Sequence, residues 1–223
     1  MRKMSITFEQ IKQNKDINTY ITKADESLEA LGYTEHGFIH VGKVASDAAY
    51  ILATLGYPDR MVELARIAGY MHDIGNLVNR VDHSQSGAVM AFRMLDKLGM
   101  DAEEISTVVT AIGNHDESTG VPVNPVAAAL IIADKCDVRR TRVRKYNADE
   151  DDIHERVNYS AFKSALAFTE DNKHVILNLA IDTDISPVME YFQIFIGRMQ
   201  MCKKAADYLG IDFSLVINGQ ELL

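Results

Sequence analysis

The stretch GYMHDIGNLVNR, residues 69–80, sets a histidine and an aspartate side by side at the end of an apolar segment. Residues 59–72 are rich in alanine, leucine, isoleucine and methionine and are apolar nearly all round, which predicts a helix at the centre of the fold. Gly75 is the predicted stop of that helix. His72 and Asp73 then have two interpretations, a satisfied polar pair at a helix end or half of a metal site.

The composition is that of an ordinary globular protein, and it argues against several classes of function. The chain has 223 residues, of which 47% are hydrophobic and 25% charged, enough for one large domain or a domain with an appendage. A formal charge of −9 argues against general DNA or RNA binding. The sequence lacks a membrane-spanning run of about 18 apolar residues, and its N-terminus lacks an apolar signal core. Cys136 and Cys202 form no CxxC motif, so we expect reduced thiols in a cytoplasmic protein.

Helical signals dominate the chain up to about residue 145, and they predict a mainly α fold. Thr7-Phe8-Glu9-Gln10 fits a capping box before an early helix. Further helices are predicted over 16–31, 40–55, 59–72, 84–98, 101–114 and from Pro125 through 145. The stretch 116–125 contains one glycine and two prolines and is a predicted loop.

The character of the sequence changes after this helical part. Residues 146–155, YNADEDDIHE, are acidic and predicted to be solvated. Strands are predicted over 174–182 and 212–218, with a helix over 187–208 between them. Two strands alone are marginally stable, so we expect them to pair and to pack on helices or on another subunit. The segment is therefore expected to form either a homodimer contact or an α+β cap over the site.

Four more residues able to bind a metal stand at predicted edges of the core. They are His40, His83, His115 and Asp134. A lone buried histidine is more often a satisfied core residue than a ligand. Burying several such groups together is costly unless something compensates their charge and polarity. A bound metal supplies that compensation, and imidazole with carboxylate suits Fe, Mn, Zn, Ni or Co.

The helical geometry of His72 and Asp73 favours two metals over one. Adjacent residues on a helix diverge by about 100°. We therefore expect the two side chains to flank two neighbouring ions rather than to point at one spot. Because a carboxylate has two oxygens, Asp73 can bridge those ions.

The order of the candidate ligands resembles a known signature. His40, then His72-Asp73, then Asp134 is similar to the H…HD…D signature of the HD superfamily of metal-dependent phosphohydrolases. His83 and His115 are similar to the additional histidines of its two-metal branch. The resemblance covers residues 36–145, about half of the chain.

Two groups within that branch share longer motifs with this chain. HSQSGAVMA, 83–91, and IIADKCDVRRTR, 131–142, resemble the HD-type diadenosine tetraphosphate hydrolases. HDIG and NHDE more distantly resemble the HD-GYP phosphodiesterases. Asn76 stands in place of the lysine of that second group, and Asn114 in place of a histidine. These departures argue against cleavage of cyclic di-GMP.

The resemblance implies a domain organisation and a ligand set. An HD helical bundle would occupy 36–145, with N-terminal helices, 1–35, packing on it and a C-terminal α+β extension of two strands and a helix over 146–223. One metal would be bound by His40, His72, Asp73 and Asp134, and Asp73 would also bridge to a second metal bound by His83 and His115. His72 and Asp73 are then the catalytic residues. His36 competes with His40, which we prefer because it opens an apolar helix as in the family pattern.

The implied activity is hydrolysis of a phosphoester or phosphoanhydride with two divalent transition metals as cofactors. The expected partner is a small phosphorylated substrate, a nucleotide, with no membrane and no general nucleic-acid binding. Two alternatives stay open. The protein is either such a hydrolase, a nucleotide- or metal-binding sensor without turnover, or a di-iron oxygenase.

Predicted substrate contacts are polar side chains near the ligands. They are Lys43, Asn76, Lys135, Arg139 and Arg142. Lys135, Arg139 and Arg142 form one row at helical spacing on the helix that begins at Pro125, and Arg140 and Arg144 form a second row. The alternative is that both rows are a solvated helix face paired with the acidic residues 149–155.

Overall fold

A computed structural model describes residues 5–145 and 152–222 and shows a helical body with a small sheet near its C-terminus. The helices are α1 (Phe8–Lys12), α2 (Lys15–Ala30), α3 (Phe38–Thr54), α4 (Asp59–Met71), α5 (His83–Leu98), α6 (Ala102–Gly113), α7 (Pro125–Lys135), α8 (Ile153–Ser160) and α9 (Val188–Leu209). Two 3₁₀ turns cover Ile74–Leu77 and Arg140–Arg142. The strands are β1 (Ala161–Phe168), β2 (His174–Ile181), β3 (Asp212–Ile217) and β4 (Gln220–Glu221). The predicted mainly α fold with an α+β appendage is confirmed.

Local signals at the helix ends explain where several helices begin and end. The Thr7 side chain accepts a hydrogen bond from the Gln10 amide, and the Gln10 side chain accepts one from the Thr7 amide, so the predicted capping box precedes α1. Gly99 adopts the left-handed conformation and ends α5. These caps satisfy backbone groups that the helices cannot pair themselves.

The central helix is α7, whose residues Val126–Ala133 are fully buried. It packs against α3, α4, α6 and α9. The predicted central segment 59–72 corresponds to α4, which is buried only from Leu64 onward. A helix that is apolar on every side needs neighbours on every side, and α7 has them.

The predicted helix from Pro125 through 145 is wrong beyond Lys135. Cys136 caps α7, and Arg139 has an extended backbone before the second 3₁₀ turn. This change of direction lets the buried Arg142 guanidinium donate to the backbone carbonyls of Glu35 and Asp137. Neither of the two predicted rows of basic residues therefore forms, because α7 does not continue beyond Lys135 to carry them. The acidic residues 149–155, their proposed partner, lie partly outside the described residues.

The C-terminal part forms a four-stranded sheet in the order β1-β2-β3-β4. β2 pairs in parallel with β3, and α9 makes the crossover between them, as a parallel connection requires. β1 and β4 pair in antiparallel fashion at the two edges. The prediction of only two strands is wrong, because both predicted strands have further partners within the chain. Because the predicted strands find their partners within the chain, they give no argument for pairing with a second subunit.

The sheet and the helical body meet through α9. Its buried face packs on α7, and the thiols of Cys136 and Cys202 meet there with their Sγ atoms 3.9 Å apart. None of the helices in residues 5–145 and 152–222 has both the length and the apolarity to cross a membrane.

Candidate metal centre

Five helices bring the predicted ligands together at their ends. His40 lies in the first turn of α3, His72 and Asp73 directly follow α4, His83 begins α5, His115 follows α6, and Asp134 lies in the last turn of α7. All four imidazoles and Asp73 are buried. Buried polar groups at the convergence of several elements are typical of a binding site rather than of packing alone.

Glycines let these elements approach closely enough to form the site. A Cβ on Gly69 would lie 2.7 Å from Ala45 Cα, so α4 crosses α3 here with its backbone in contact. A Cβ on Gly75 would lie 1.9 Å from the carbonyl oxygen of His83. Gly75 does not stop α4 as predicted, because that helix ends at Met71 and Gly75 lies inside the first 3₁₀ turn. It allows that turn to contact the start of α5.

The first cluster consists of His40, His72, Asp73 and Asp134. His40 Nε2 lies 3.4 Å from Asp134 Oδ1 and 3.6 Å from Asp73 Oδ2. His72 Nε2 lies 3.2 Å from Asp73 Oδ2 and 3.6 Å from Asp134 Oδ1. Two nitrogens and two oxygens thus face one point.

The second cluster consists of Asp73, His83 and His115. Asp73 Oδ1 lies 3.5 Å from His83 Nε2 and 3.9 Å from His115 Nε2, and the two nitrogens are 3.2 Å apart. Asp73 therefore presents Oδ2 to the first cluster and Oδ1 to the second. This arrangement is the one a bridging carboxylate needs.

The expected divergence of His72 and Asp73 is wrong. The angle of 100° applies within a helix, but α4 ends at Met71 and the backbone of Asp73 has ψ 2°, outside the α-helical region. The two side chains therefore converge, and His72 Nε2 also lies in one possible ligand group with Asp73 and His115.

Each of the four imidazoles is held through its Nδ1 atom. The partners are Asp137 Oδ2 at 2.8 Å for His40, Gly69 O at 2.8 Å for His72, Arg80 O at 3.0 Å for His83 and Ile112 O at 2.6 Å for His115. An acceptor at Nδ1 places the proton there and leaves the Nε2 lone pair for a metal. Among the described residues, Nε2 of His40 and of His72 is buried without a hydrogen-bond partner. Such atoms are costly unless they bind something, so the residues fit a divalent metal.

The two clusters differ in their electrostatics. Burial lowers the pKa of His72, but the carboxylates of Asp73 and Asp134 together outweigh it and raise that pKa to about 10. Burial raises the pKa of Asp73, but His72 and His40 together outweigh it and hold that pKa well below its usual range. Burial lowers the pKa of His115 to about 3. The first cluster thus attracts positive charge, while the second keeps neutral imidazole, the form that binds metals.

Lys135 and Arg142 are the predicted substrate contacts that line the neighbouring cavity. Lys135 Nζ is buried and lies 2.7 Å from Asp134 Oδ2. The Arg142 guanidinium also reaches the cavity wall, although its hydrogen bonds go to backbone carbonyls.

The other three predicted contacts have different surroundings. Lys43 Nζ pairs with Asp47 Oδ2 at 2.5 Å and is not part of the cavity lining. Asn76 Nδ2 donates to Asp73 Oδ1 at 2.9 Å, so it holds the bridging carboxylate. Arg139 pairs with Asp137.

Sequence reasoning missed Asp137, a fully buried carboxylate that holds His40. Asp137 stands three residues after Asp134, but this spacing does not indicate that it holds His40, because the chain turns between the two aspartates. His36, the competitor of His40, bonds to Thr34 O and lies at the cavity wall with its ring 5.4 Å from that of His40. The structure places His40, rather than His36, beside Asp134.

A cavity of about 1290 Å³ opens above the two clusters. Its floor includes Asp73, His83 and Asp134. Its walls carry the basic residues Arg80, Lys135, Arg142, Arg144, Lys145 and Arg198, the acidic residues Glu29, Glu117, Asp152 and Glu155, and Leu31 and Tyr33. The basic side chains favour a ligand with negative charge.

Comparison with known proteins found related sequences and structures. Residues 37–139 match the HD domain family model. The uncharacterized protein MJ1020 of Methanocaldococcus jannaschii is 26% identical over 161 residues, which is 61% of this chain and 61% of that protein. A crystal structure of a predicted HD superfamily hydrolase from an uncultured Thermotogales bacterium is 23% identical, with a TM-score of 0.46 over 59% of this chain and 73% of that one.

Proposed function

Because residues 37–139 match the HD domain family model, we propose that this protein is a metal-dependent phosphohydrolase that cleaves a phosphoester or phosphoanhydride of a nucleotide. One observation carries the proposal. The Asp73 carboxylate is shared by two histidine-containing clusters at the floor of a cavity whose walls carry more basic than acidic side chains.

The ligands divide between two metals as the distances suggest. His40, His72, Asp73 and Asp134 would hold one ion, and Asp73, His83 and His115 the other. Divalent Fe, Mn, Zn, Ni or Co at these positions would lower the pKa of a water and neutralise phosphoryl charge.

The protein's own side chains orient the site and bind the phosphoryl group. Asp137 fixes the His40 ring, and Asn76 fixes Asp73 through a hydrogen bond to Oδ1. Lys135 brings an ammonium group to the cavity beside Asp134, where it can bind a phosphoryl oxygen. Burial strengthens that interaction because the surroundings screen charge less than water does.

A nucleotide suits the size and lining of the cavity. Pockets for small organic ligands measure about 300–1,000 Å³. This cavity of about 1290 Å³ is larger, so it has room for a nucleotide. Tyr33 is 43% exposed at its wall, where its ring can stack on a base, and the Arg80 guanidinium lies 5.5 Å from that ring.

The test begins with elemental analysis of the purified protein, followed by a hydrolysis screen of nucleotides and simple phosphoesters with the metal found. We expect metal-dependent turnover that Asp73→Ala abolishes, because the carboxylate serves both clusters. His115→Ala should remove one metal per chain. The matched control His174→Ala changes a half-exposed histidine of β2 and should leave metal content and turnover unchanged.

Each outcome separates the hydrolase from its alternatives. Metal binding with nucleotide affinity but no turnover across the screen would favour a sensor. Iron content with oxygen consumption would favour an oxygenase. Protein that takes up no transition metal would refute the hydrolase and the oxygenase, and nucleotide affinity without metal would leave only a sensor.

A further inference from the structure

Helix α9 brings an arginine from the C-terminal part of the chain to the cavity above the metal clusters. We propose that Arg198 binds a second anionic group of the substrate, so that the site prefers compounds with two adjacent phosphates over those with one. This inference rests on the proposed function for the position of the first phosphate. Arg198 lies outside residues 37–139, so the specificity would come from the C-terminal extension.

A short chain of contacts connects Arg198 to the first cluster. Arg198 Nε donates to Glu117 Oε1 at 2.6 Å. The same oxygen lies 3.9 Å from Lys135 Nζ, which lies 2.7 Å from Asp134 Oδ2. All four side chains line the same cavity. The guanidinium is thus a near neighbour of the group that would bind the first phosphate.

Packing holds Arg198 at this position. Its guanidinium carbon lies 4.5 Å from the centre of the Phe195 ring, which is buried. The loop that carries Glu117 packs closely against α9, because a Cβ on Gly120 would lie 2.3 Å from the Met201 side chain. The arginine is therefore preorganised, which reduces the entropy lost on binding an anion.

Two other arginines of the cavity wall are committed to the fold. Arg142 donates to the carbonyls of Glu35 and Asp137. Arg144 pairs with the Asp25 carboxylate and donates to the carbonyls of Tyr33 and Asp25. Removing these bonds would leave backbone acceptors unpaired, so neither arginine is available to a ligand at low cost.

Arg198 differs because, within the described part of the chain, its hydrogen bond goes to one exposed carboxylate. Ion pairs of partly exposed side chains contribute little to stability, so a phosphate can replace Glu117. The planar guanidinium offers a fork of N–H donors that matches two phosphate oxygens. In this arrangement Glu117 pairs with Arg198 in the free protein, and a second phosphate displaces it when the ligand binds.

The test compares the binding of pyrophosphate and orthophosphate to the metal-loaded protein by calorimetry. We expect the wild type to bind pyrophosphate more tightly. Arg198→Ala should weaken pyrophosphate binding by at least about tenfold and orthophosphate binding by less than about twofold. All variants are measured at the same metal and ligand concentrations, so chelation by pyrophosphate cancels between them.

Two further variants and one control separate binding from folding. Arg198→Lys keeps the charge but loses the fork, so it should retain part of the preference even if Arg198→Ala does not fold. Glu117→Gln should tighten pyrophosphate binding, and this gain should vanish in the Glu117→Gln/Arg198→Ala double variant. The matched control is Arg66→Ala, which changes another arginine stacked on a phenylalanine, Phe8 at 5.6 Å, outside the cavity.

The inference is overturned if the wild type binds both anions equally, if Arg198→Ala leaves the preference unchanged, or if Arg66→Ala reduces it as much. Hydrolysis of the nucleotide and phosphoester screen is measured in parallel on the same samples. Absence of turnover by the wild type across that screen would refute the proposed function without affecting the pyrophosphate preference. Turnover without that preference would refute the role of Arg198 alone.

Discussion

Replacing Asp137 tests how the metal centre is held, because this residue contacts a ligand but not the cavity. Its Oδ2 accepts from His40 Nδ1 at 2.8 Å and from an Arg139 amino group at 2.9 Å, while its Oδ1 accepts from Arg139 Nε at 2.5 Å. Burial raises the pKa of Asp137, but the hydrogen bonds from His40 and Arg139 together outweigh it and hold that pKa well below its usual range.

The structure orders the effects of two substitutions at this position. In Asp137→Asn the amide oxygen can still accept from His40, but its NH₂ group would face the Arg139 Nε–H, and the negative charge is lost. In Asp137→Ala the Nδ1 anchor of His40 disappears altogether. Loss of such a partner weakens metal binding by about 10- to 100-fold, or about 1.4–2.8 kcal/mol. We expect Asn near the lower and Ala near the upper bound.

The assay is competition with a fluorescent chelator for Mn²⁺ or Zn²⁺, which reports the affinity of each site. Both substitutions of Asp137 should weaken binding of the metal that His40 holds. They should leave the other metal's affinity unchanged, because its ligands His83 and His115 do not contact Asp137. The control Asp47→Asn changes a carboxylate that pairs with Lys43 and does not contact a ligand. If Asp137→Ala binds both metals within about twofold of the wild type, Asp137 does not orient His40.

Three other perturbations have expected results. Gly75→Ala should lower the free energy of unfolding, measured by urea titration, by about 1–3 kcal/mol, because the new Cβ would meet the carbonyl of His83. The control Gly42→Ala should raise the free energy of unfolding by about 0.5–1 kcal/mol, because Gly42 is a helical glycine with open space around it. Metal affinity should rise between pH 7 and 9, because the pKa of His72 is raised to about 10 and a metal must displace its proton. Calorimetry in buffers of different ionisation enthalpy measures the release of that proton, and an equal heat of binding in all buffers would contradict the prediction. Removing metal with a chelator should lower the melting temperature, with about 2.7 kcal/mol of stabilisation lost where the metal had been at 100 times its Kd.

The fold was predictable where one local signal decides it. A capping box placed the start of α1, helical periodicity and caps placed α2 to α6 and α9 nearly to their ends, and alternation placed β2, whose Val175, Leu177, Leu179 and Ile181 are buried as expected. β1 was missed because AFKSALAF alternates weakly. It lies at the sheet edge, where exposure on both sides removes the pattern.

The candidate site was predictable as a set of residue types in order, but not as a set of contacts. Helical spacing indicated that His40, His115 and Asp134 stand on apolar faces. It could not indicate Asp137 or Arg198, because their partners come from elements far apart in sequence. Those contacts depend on how α3, α7 and α9 pack, and no local pattern records that packing.

The basic residues after Asp134 show why spacing alone assigned the wrong roles. A shared helix face would have given Lys135, Arg139 and Arg142 one common function. Since α7 ends at Lys135, each side chain instead meets a different partner: Lys135 faces Asp134 and the cavity, Arg139 holds Asp137, and Arg142 binds backbone carbonyls. Further positive charge at the cavity then comes from side chains elsewhere in the chain, such as Arg80 and Arg198. Arg198 on α9 is placed to bind a phosphate, which is why we expect phosphate recognition to depend on α9 as well as on residues 37–139, which match the HD domain family model.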